Sequence, residues 1–183
     1  MIYRKYSDFL REKFGEKVYK LPVKLDLTCP NRDGTCGFGG CIFCGEEGGS
    51  FENNNGSVRE QLLQNKEHIK KKYKANKYIA YFQNFTNTYM EFDDFKKVIE
   101  ESLIEDVVGV SISTRPDYLP QRHLDYLEEL SKEYFVTVEI GLQTPNYHSL
   151  KKLNRGHGLS EFIDAVLKLK KRNINVCTHI IIG

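Results

Sequence analysis

Four of the five cysteines in this 183-residue chain stand between positions 29 and 44, in the segment TCPNRDGTCGFGGCIFC (28–44). A thiolate is a soft anionic ligand, and Cys41 and Cys44 form a C-x2-C pair close enough in sequence to share one metal centre. A third thiolate must return across the loop, and both Cys29 and Cys36 are available. The glycines between them let the backbone turn tightly and approach inorganic sulfide where a side chain would collide. Two chemistries suit such a loop. One is an iron–sulfur cluster serving as a catalytic centre; the other is a tetrahedral structural zinc ion in a non-enzymatic interaction module.

Further polar residues stand at the ends of apolar runs. Gln83, Asn84, Thr86 and Asn87 follow one run, Arg115 and Asp117 the next, Gln143 a third, and Arg155 and His157 occupy a glycine-flanked turn. Glu139 lies inside an apolar run, where a carboxylate requires a partner. Arg115, just before Pro116, offers a fork of donors to a carboxylate or a phosphate. His179 stands among isoleucines, suited either to core packing or to a ligand contact. Cys177, two positions earlier, points to the same side, but the pair alone does not complete a metal site.

These residues need a scaffold that gathers them. Periodicity predicts a helix over 5–14, a strand from Val18 to Leu27, a loop from Thr28 to Gly56, and a helix from Val58 to Tyr73 capped by Ser57 with Glu60. Strands then follow over Lys77–Phe82, Val107–Ser113, Tyr134–Leu142 and Asn175–Ile182. The intervening helices are expected over Asp93–Glu105, Pro120–Ser131, Tyr147–Leu153 and Ser160–Arg172. Strands alternating with helices are the mark of right-handed βαβ units and a parallel sheet. Ligands bind such sheets at the C-terminal strand edge, where the cysteine loop and the other polar residues fall. The chain stops in the apolar run Ile180-Ile181-Ile182-Gly183, from which we expect the front part of a longer barrel; a complete open sheet is the alternative.

With 40% hydrophobic residues the chain is expected to form one domain, 1–183. It contains no apolar run long enough for a membrane span, and Tyr3, Arg4, Lys5 and Tyr6 stand where a secretory peptide would be apolar. A soluble, cytoplasmic protein with reduced thiols is the expectation. The net charge of +2 is too small to imply a nucleic-acid partner. Two lysine-rich stretches, 66–77 and 168–172, read either as solvated helix ends or as phosphate contacts.

Longer phrases add a resemblance. TCPNRDG and GGCIFC, followed in order by YFQNFTNTY (81–89), SISTRPD (111–117), EIGLQT (139–144), NRGHG (154–158) and CTHIIIG (177–183), resemble the radical S-adenosylmethionine (radical SAM) enzymes. The likeness is to a small bacterial-type branch related to the Elongator catalytic subunit, and it covers nearly the whole chain. It implies the N-terminal portion of a partial TIM-like barrel, apparently truncated after strand five. It also implies a [4Fe–4S] cluster held by Cys29, Cys41 and Cys44, with a C-x11-C-x2-C spacing. Cys36 departs from the pattern of that branch.

In the resembled family the open iron takes the amino and carboxylate groups of S-adenosylmethionine. One electron then cleaves the sulfonium, and the resulting 5′-deoxyadenosyl radical abstracts hydrogen from the substrate. Cofactor contacts are expected from Glu139 and Gln143 to the ribose, from Arg115, Arg155 and His157 to the carboxylate, and from Gln83, Asn84 and Thr86 to the amino group. The implied partners are an electron donor such as flavodoxin or ferredoxin, and a modified base in transfer RNA as substrate.

Overall fold

The structure is a computed structural model that describes residues 2–46, 48 and 56–182. Its elements are α1 (Tyr6–Phe14), β1 (Val18–Val23), α2 (Val58–Tyr73), β2 (Lys77–Phe82), α3 (Phe92–Ser102), β3 (Val107–Thr114), α4 (Gln121–Leu130), β4 (Phe135–Gln143), α5 (Tyr147–Lys152), α6 (Leu159–Lys171) and β5 (Asn175–Ile180). The five strands are all parallel and lie in the order β1-β2-β3-β4-β5. A sheet whose order never reverses is singly wound. Right-handed crossovers then set the connecting helices on one face, as in an arc of a TIM-like barrel.

The two faces of the sheet have different chemistry, because alternate residues point opposite ways. The outer face carries Leu21, Val23, Tyr78, Phe82, Val110, Ile112, Val138 and Ile140. These form one core with Leu62 of α2, Phe95 and Ile99 of α3, Leu124 and Leu127 of α4 and Leu169 of α6. The inner face is apolar only at its N-terminal end. There Val18, Ile79 and Phe135 pack on Leu10, with Phe9 and Phe14 beside them, so α1 closes that end of the inner face. Above this plug the inner face turns polar, with Lys20, Tyr81, Ser111 and Glu139 joined in one network.

The helix from Val58 to Tyr73 has the predicted bounds and the predicted reciprocal cap: the Glu60 amide donates to Ser57 Oγ at 3.3 Å, and the Ser57 amide donates to Glu60 Oε2 at 2.8 Å. The first strand is shorter than expected and ends at Val23. Beyond it side chains take over the backbone pairing. Gln61 accepts from the Lys24 amide and donates to its carbonyl, both at 2.9 Å, and Asn84 does the same for Leu25 at 3.2 and 2.6 Å. β5 also stops early, at Ile180, after a register irregularity between Gly141 and Gln143. The expected loop is described over 28–46 and at 48 and 56; its remaining positions lie outside the described residues.

Both lysine-rich stretches fall at helix C-termini, where each helix hands over to the start of a strand. Lys17 Nζ donates to the Tyr73 carbonyl at 2.8 Å, and Lys66 pairs with Asp106 at 2.8 Å. They therefore lie at the N-terminal edge of the sheet, opposite the edge that carries the cysteine loop. Among the described residues, no helix is long and apolar enough to cross a membrane.

Candidate active site

A cavity of about 220 Å³ opens at the C-terminal edge of the sheet. Cys29, Cys41 and Cys44 all face it, together with Gln83 and Thr86 after β2, Arg115 after β3, Glu139 and Gln143 of β4, and Arg155. All five thiols of the chain are free. Cys36 is exposed and lies outside the cavity wall. Asn84 and His157 also lie outside it: Asn84 is buried and committed to the Leu25 backbone, while His157 borders a neighbouring depression with Asn154 and Gly158.

The cysteine loop is held from two sides. From below, the Thr86 hydroxyl donates to Cys29 Sγ at 3.3 Å. From the flank, the NRGHG turn clasps it: Asn154 donates to the carbonyls of Phe38 and Gly40 at 3.0 and 2.8 Å, and the Ile42 amide donates to the Leu153 carbonyl at 3.1 Å. Asn31, fully buried, donates to the Asn154 carbonyl at 2.6 Å and approaches Cys41 Sγ at 3.6 Å. This clasp requires Gly156. Its φ is +76°, and a Cβ there would stand 2.7 Å from Asn31 Oδ1. Arg32 adds a third tie, donating to the Cys44 carbonyl at 3.0 Å and to the Gly45 carbonyl at 2.5 Å.

The two predicted arginines do different work. Arg155 donates to Cys41 Sγ at 3.4 Å and to the Gly141 carbonyl at 3.0 Å, and its buried Nε has no hydrogen-bond partner. Arg115 instead spends its fork on Asp117, at 2.9 and 2.6 Å, and donates its remaining nitrogen to the Arg155 carbonyl at 2.9 Å. It thereby positions Arg155, with three of its five N–H donors engaged. Gln143 reaches the cavity from a left-handed backbone, φ +69°, at the irregular end of β4.

Glu139 is the hub of the inner polar layer. Lys20 and Ser111 donate to its Oε1, the Tyr81 hydroxyl donates to Oε2 at 3.2 Å, and His179 Nε2 lies 2.7 Å from Oε2. Burial works to raise its pKa, but the hydrogen bond from His179 and the charge and hydrogen bonds of Lys20 and Ser111 outweigh it, holding Glu139 at about 2. Hydrogen bonds with Cys177 and Glu139 raise His179 to about 9 against the opposing effect of burial. Glu139 is thus an ionised, fully engaged carboxylate at neutral pH.

Several of these contacts carry no signal in the sequence. Asn31, Arg32 and Asn154 sit inside the motifs as apparent spacers; their roles depend on a loop conformation that spacing does not encode. Lys20 had a readable signal. One cation in the first apolar strand and one anion in the fourth, each on an otherwise apolar run, are a complementary pair.

Comparison with known proteins accords with this geometry. The chain is 43% identical over 184 aligned residues to the uncharacterised protein YtqA of Bacillus subtilis, an alignment covering 99% of this chain and 57% of that protein. It spans, in other words, a little over half the length of that relative. Among solved structures, the archaeal Elp3 of Methanocaldococcus infernus superposes with a TM-score of 0.62 at 19% identity, covering 91% of this chain and 38% of the other. The cobalamin-dependent enzyme OxsB, with S-adenosylmethionine bound, superposes at 0.55 and 15% identity, covering 88% and 23%. Both are likenesses of fold. The sequence pattern of the radical SAM superfamily matches residues 33–183, so the chain belongs to that superfamily.

Proposed function

We propose that this chain carries the core of a radical SAM enzyme in which Cys29, Cys41 and Cys44 hold a [4Fe–4S] cluster and the adjoining cavity receives S-adenosylmethionine and a substrate. The observation that supports it most is the convergence of three free thiols on one cavity at the ligand-binding edge of a singly wound parallel sheet. When bound, the cluster and S-adenosylmethionine supply one-electron cleavage and hydrogen abstraction, chemistry that no polypeptide side chain provides.

The chain's own residues ligate, orient and exclude water. Thr86 donates to the Cys29 sulfur, and Arg155 with Asn31 to that of Cys41. Such hydrogen bonds stabilise thiolates and tune the reduction potential of a cluster. The guanidinium of Arg155 in the cavity wall suits the carboxylate of the cofactor, and Gln83 and Gln143 suit its amino and ribose groups. Arg115 also acts by holding Arg155 through its carbonyl, while Asn84 fixes the Leu25 backbone and His157 lies against the Gly158 carbonyl. Glu139, held by its four neighbours, orders the floor of the cavity.

A structural zinc site is the competing reading. Its sulfurs would stand about 3.8 Å apart around a single ion with bonds near 2.3 Å. Among the described residues the group of three ligand atoms within 4.8 Å of one another is Glu139, Cys177 and His179, and the loop cysteines do not form such a group. The deciding experiment is anaerobic iron–sulfide reconstitution, then dithionite and S-adenosylmethionine with an assay for 5′-deoxyadenosine, comparing alanine variants of Cys29, Cys36, Cys41 and Cys44. Product retained in the Cys36 variant alone supports the ligand set; a folded chain with stoichiometric zinc and no reconstitutable cluster refutes it.

We further assign the chain to the Elongator-related branch, with a base of transfer RNA as substrate, a flavodoxin- or ferredoxin-type electron donor and a cytoplasmic location. The order of its motifs supports the branch. The lysine-rich stretches give the RNA reading no support at the reactive edge, since they lie at the opposite one. Deuterium transfer from labelled transfer RNA into 5′-deoxyadenosine would test the substrate directly.

A further inference from the structure

On the inner face, β4 and β5 bring Glu139, Cys177 and His179 together. Glu139 and Cys177 are register partners, and His179 follows two residues later on the same side of the strand. One potential ligand atom from each lies within 4.8 Å of the other two. We infer that these three residues form a second, mononuclear site for a borderline divalent cation such as Zn2+ or Fe2+, distinct from the loop cysteines. The inference does not rest on the cluster.

The donor set fits that class of ion. One carboxylate oxygen, one thiolate and one imidazole nitrogen make three protein ligands with a fourth position open, the arrangement of catalytic rather than structural zinc. Sulfur and nitrogen select a borderline ion over magnesium or calcium. Glu139 is already oriented as a ligand. Lys20 and Ser111 occupy Oε1, as outer partners do that fix a ligating carboxylate, while Oε2 accepts from the Tyr81 hydroxyl at 3.2 Å and keeps its second lone pair toward His179, the contact a cation would replace.

The Nε2···Oε2 separation is 2.7 Å, whereas two ligands on one zinc, with bonds near 2.0 Å, stand about 3.3 Å apart. His179 has 46% of its side chain exposed, so a small rotation admits the ion without moving either strand. The charge of Lys20 opposes a cation and keeps the affinity moderate. Glu139 and His179 both line the cavity that Cys29, Cys41 and Cys44 face. The open position therefore looks into the space where a substrate would lie, and the ion would anchor or polarise an oxygen or nitrogen of that substrate.

The test uses Co2+ as the probe, with the four loop cysteines replaced by alanine so that Cys177 is the sole thiol. About one Co2+ per chain is expected, with a thiolate-to-cobalt charge-transfer band and visible bands of a four-coordinate site, displaced by Zn2+. The band should vanish in Cys177→Ser and in His179→Gln, and Ser111→Ala should weaken binding about 10-fold. No band, or one unchanged by Cys177→Ser or His179→Gln, overturns the site. If thermal unfolding shows that the four-alanine chain does not fold, zinc is counted in the cluster-reconstituted wild type and its Cys177→Ser variant. Loss of about one zinc per chain supports the site, and equal zinc in both overturns it.

Discussion

The guanidinium of Arg155 links the cysteine loop to the end of β4, touching Cys41 Sγ and the Gly141 carbonyl at once. Lysine keeps the charge but not the planar fork, so Arg155→Lys cannot serve both partners. We expect that variant to retain less iron after reconstitution and to lower the reduction potential of the centre, read by a redox titration followed by electron paramagnetic resonance; an unchanged potential would remove Arg155 from the tuning role. Its neighbour His157 makes a pH prediction. Burial first, then the charge of Arg155, lowers it to about 4 against the pull of the Gly158 carbonyl and Asp117, with Arg115 adding to the lowering. A group whose folded pKa lies below its unfolded value of about 6.5 contributes fully above that pH and loses its contribution as pH falls through the folded value. Unfolding free energy should therefore drop between about pH 6.5 and 4, by on the order of 3 kcal/mol at most, and His157→Gln should flatten that part of the profile. The presence of Arg155 and His157 near the site was legible from their glycine-flanked turn. Which one faces the cavity was not, because φ +76° at Gly156 sets the turn's path.

At the scale of elements, the clearest text was capping. Ser57 and Glu60 announce α2, and its bounds follow from them. Replacing Ser57 with Ala should lower stability by about 1 kcal/mol, measured by urea unfolding, with no change in iron content. The end of β1 was illegible for a related reason. Lys24 and Leu25 continue the alternation, but the amides of Gln61 and Asn84, from other elements, capture their backbone groups, and local sequence cannot report a distant competitor. Gln143 shows the opposite case, an element bent for the sake of a side chain. Its left-handed backbone costs about 1 kcal/mol that glycine would not incur. Gln143→Gly should thus gain up to about that much stability while weakening S-adenosylmethionine binding in the reconstituted chain, two readouts that a merely structural residue would not move in opposite directions.

For the molecule as a whole, the alternation of strands and helices gave away the parallel sheet, and the polar residues at strand ends marked its working edge. The position of α1 was not written there. Periodicity reveals an apolar stripe, not which face of a sheet will receive it, and only the assembled sheet shows that Val18, Ile79 and Phe135 need covering from inside. The consequence is two cores on opposite sides of one sheet, a large one under the outer helices and a small one beneath α1. A small core that shares no helix with the large one should open separately. Leu10, 2% exposed, is its centre, and Leu10→Ala should cost about 2–4 kcal/mol locally. Hydrogen exchange distinguishes the possibilities: protection should fall in α1 and in the first residues of β1, while the amides of β2, β3 and β4 keep theirs. Loss of protection throughout the sheet would mean instead that the plug is an integral part of one cooperative fold.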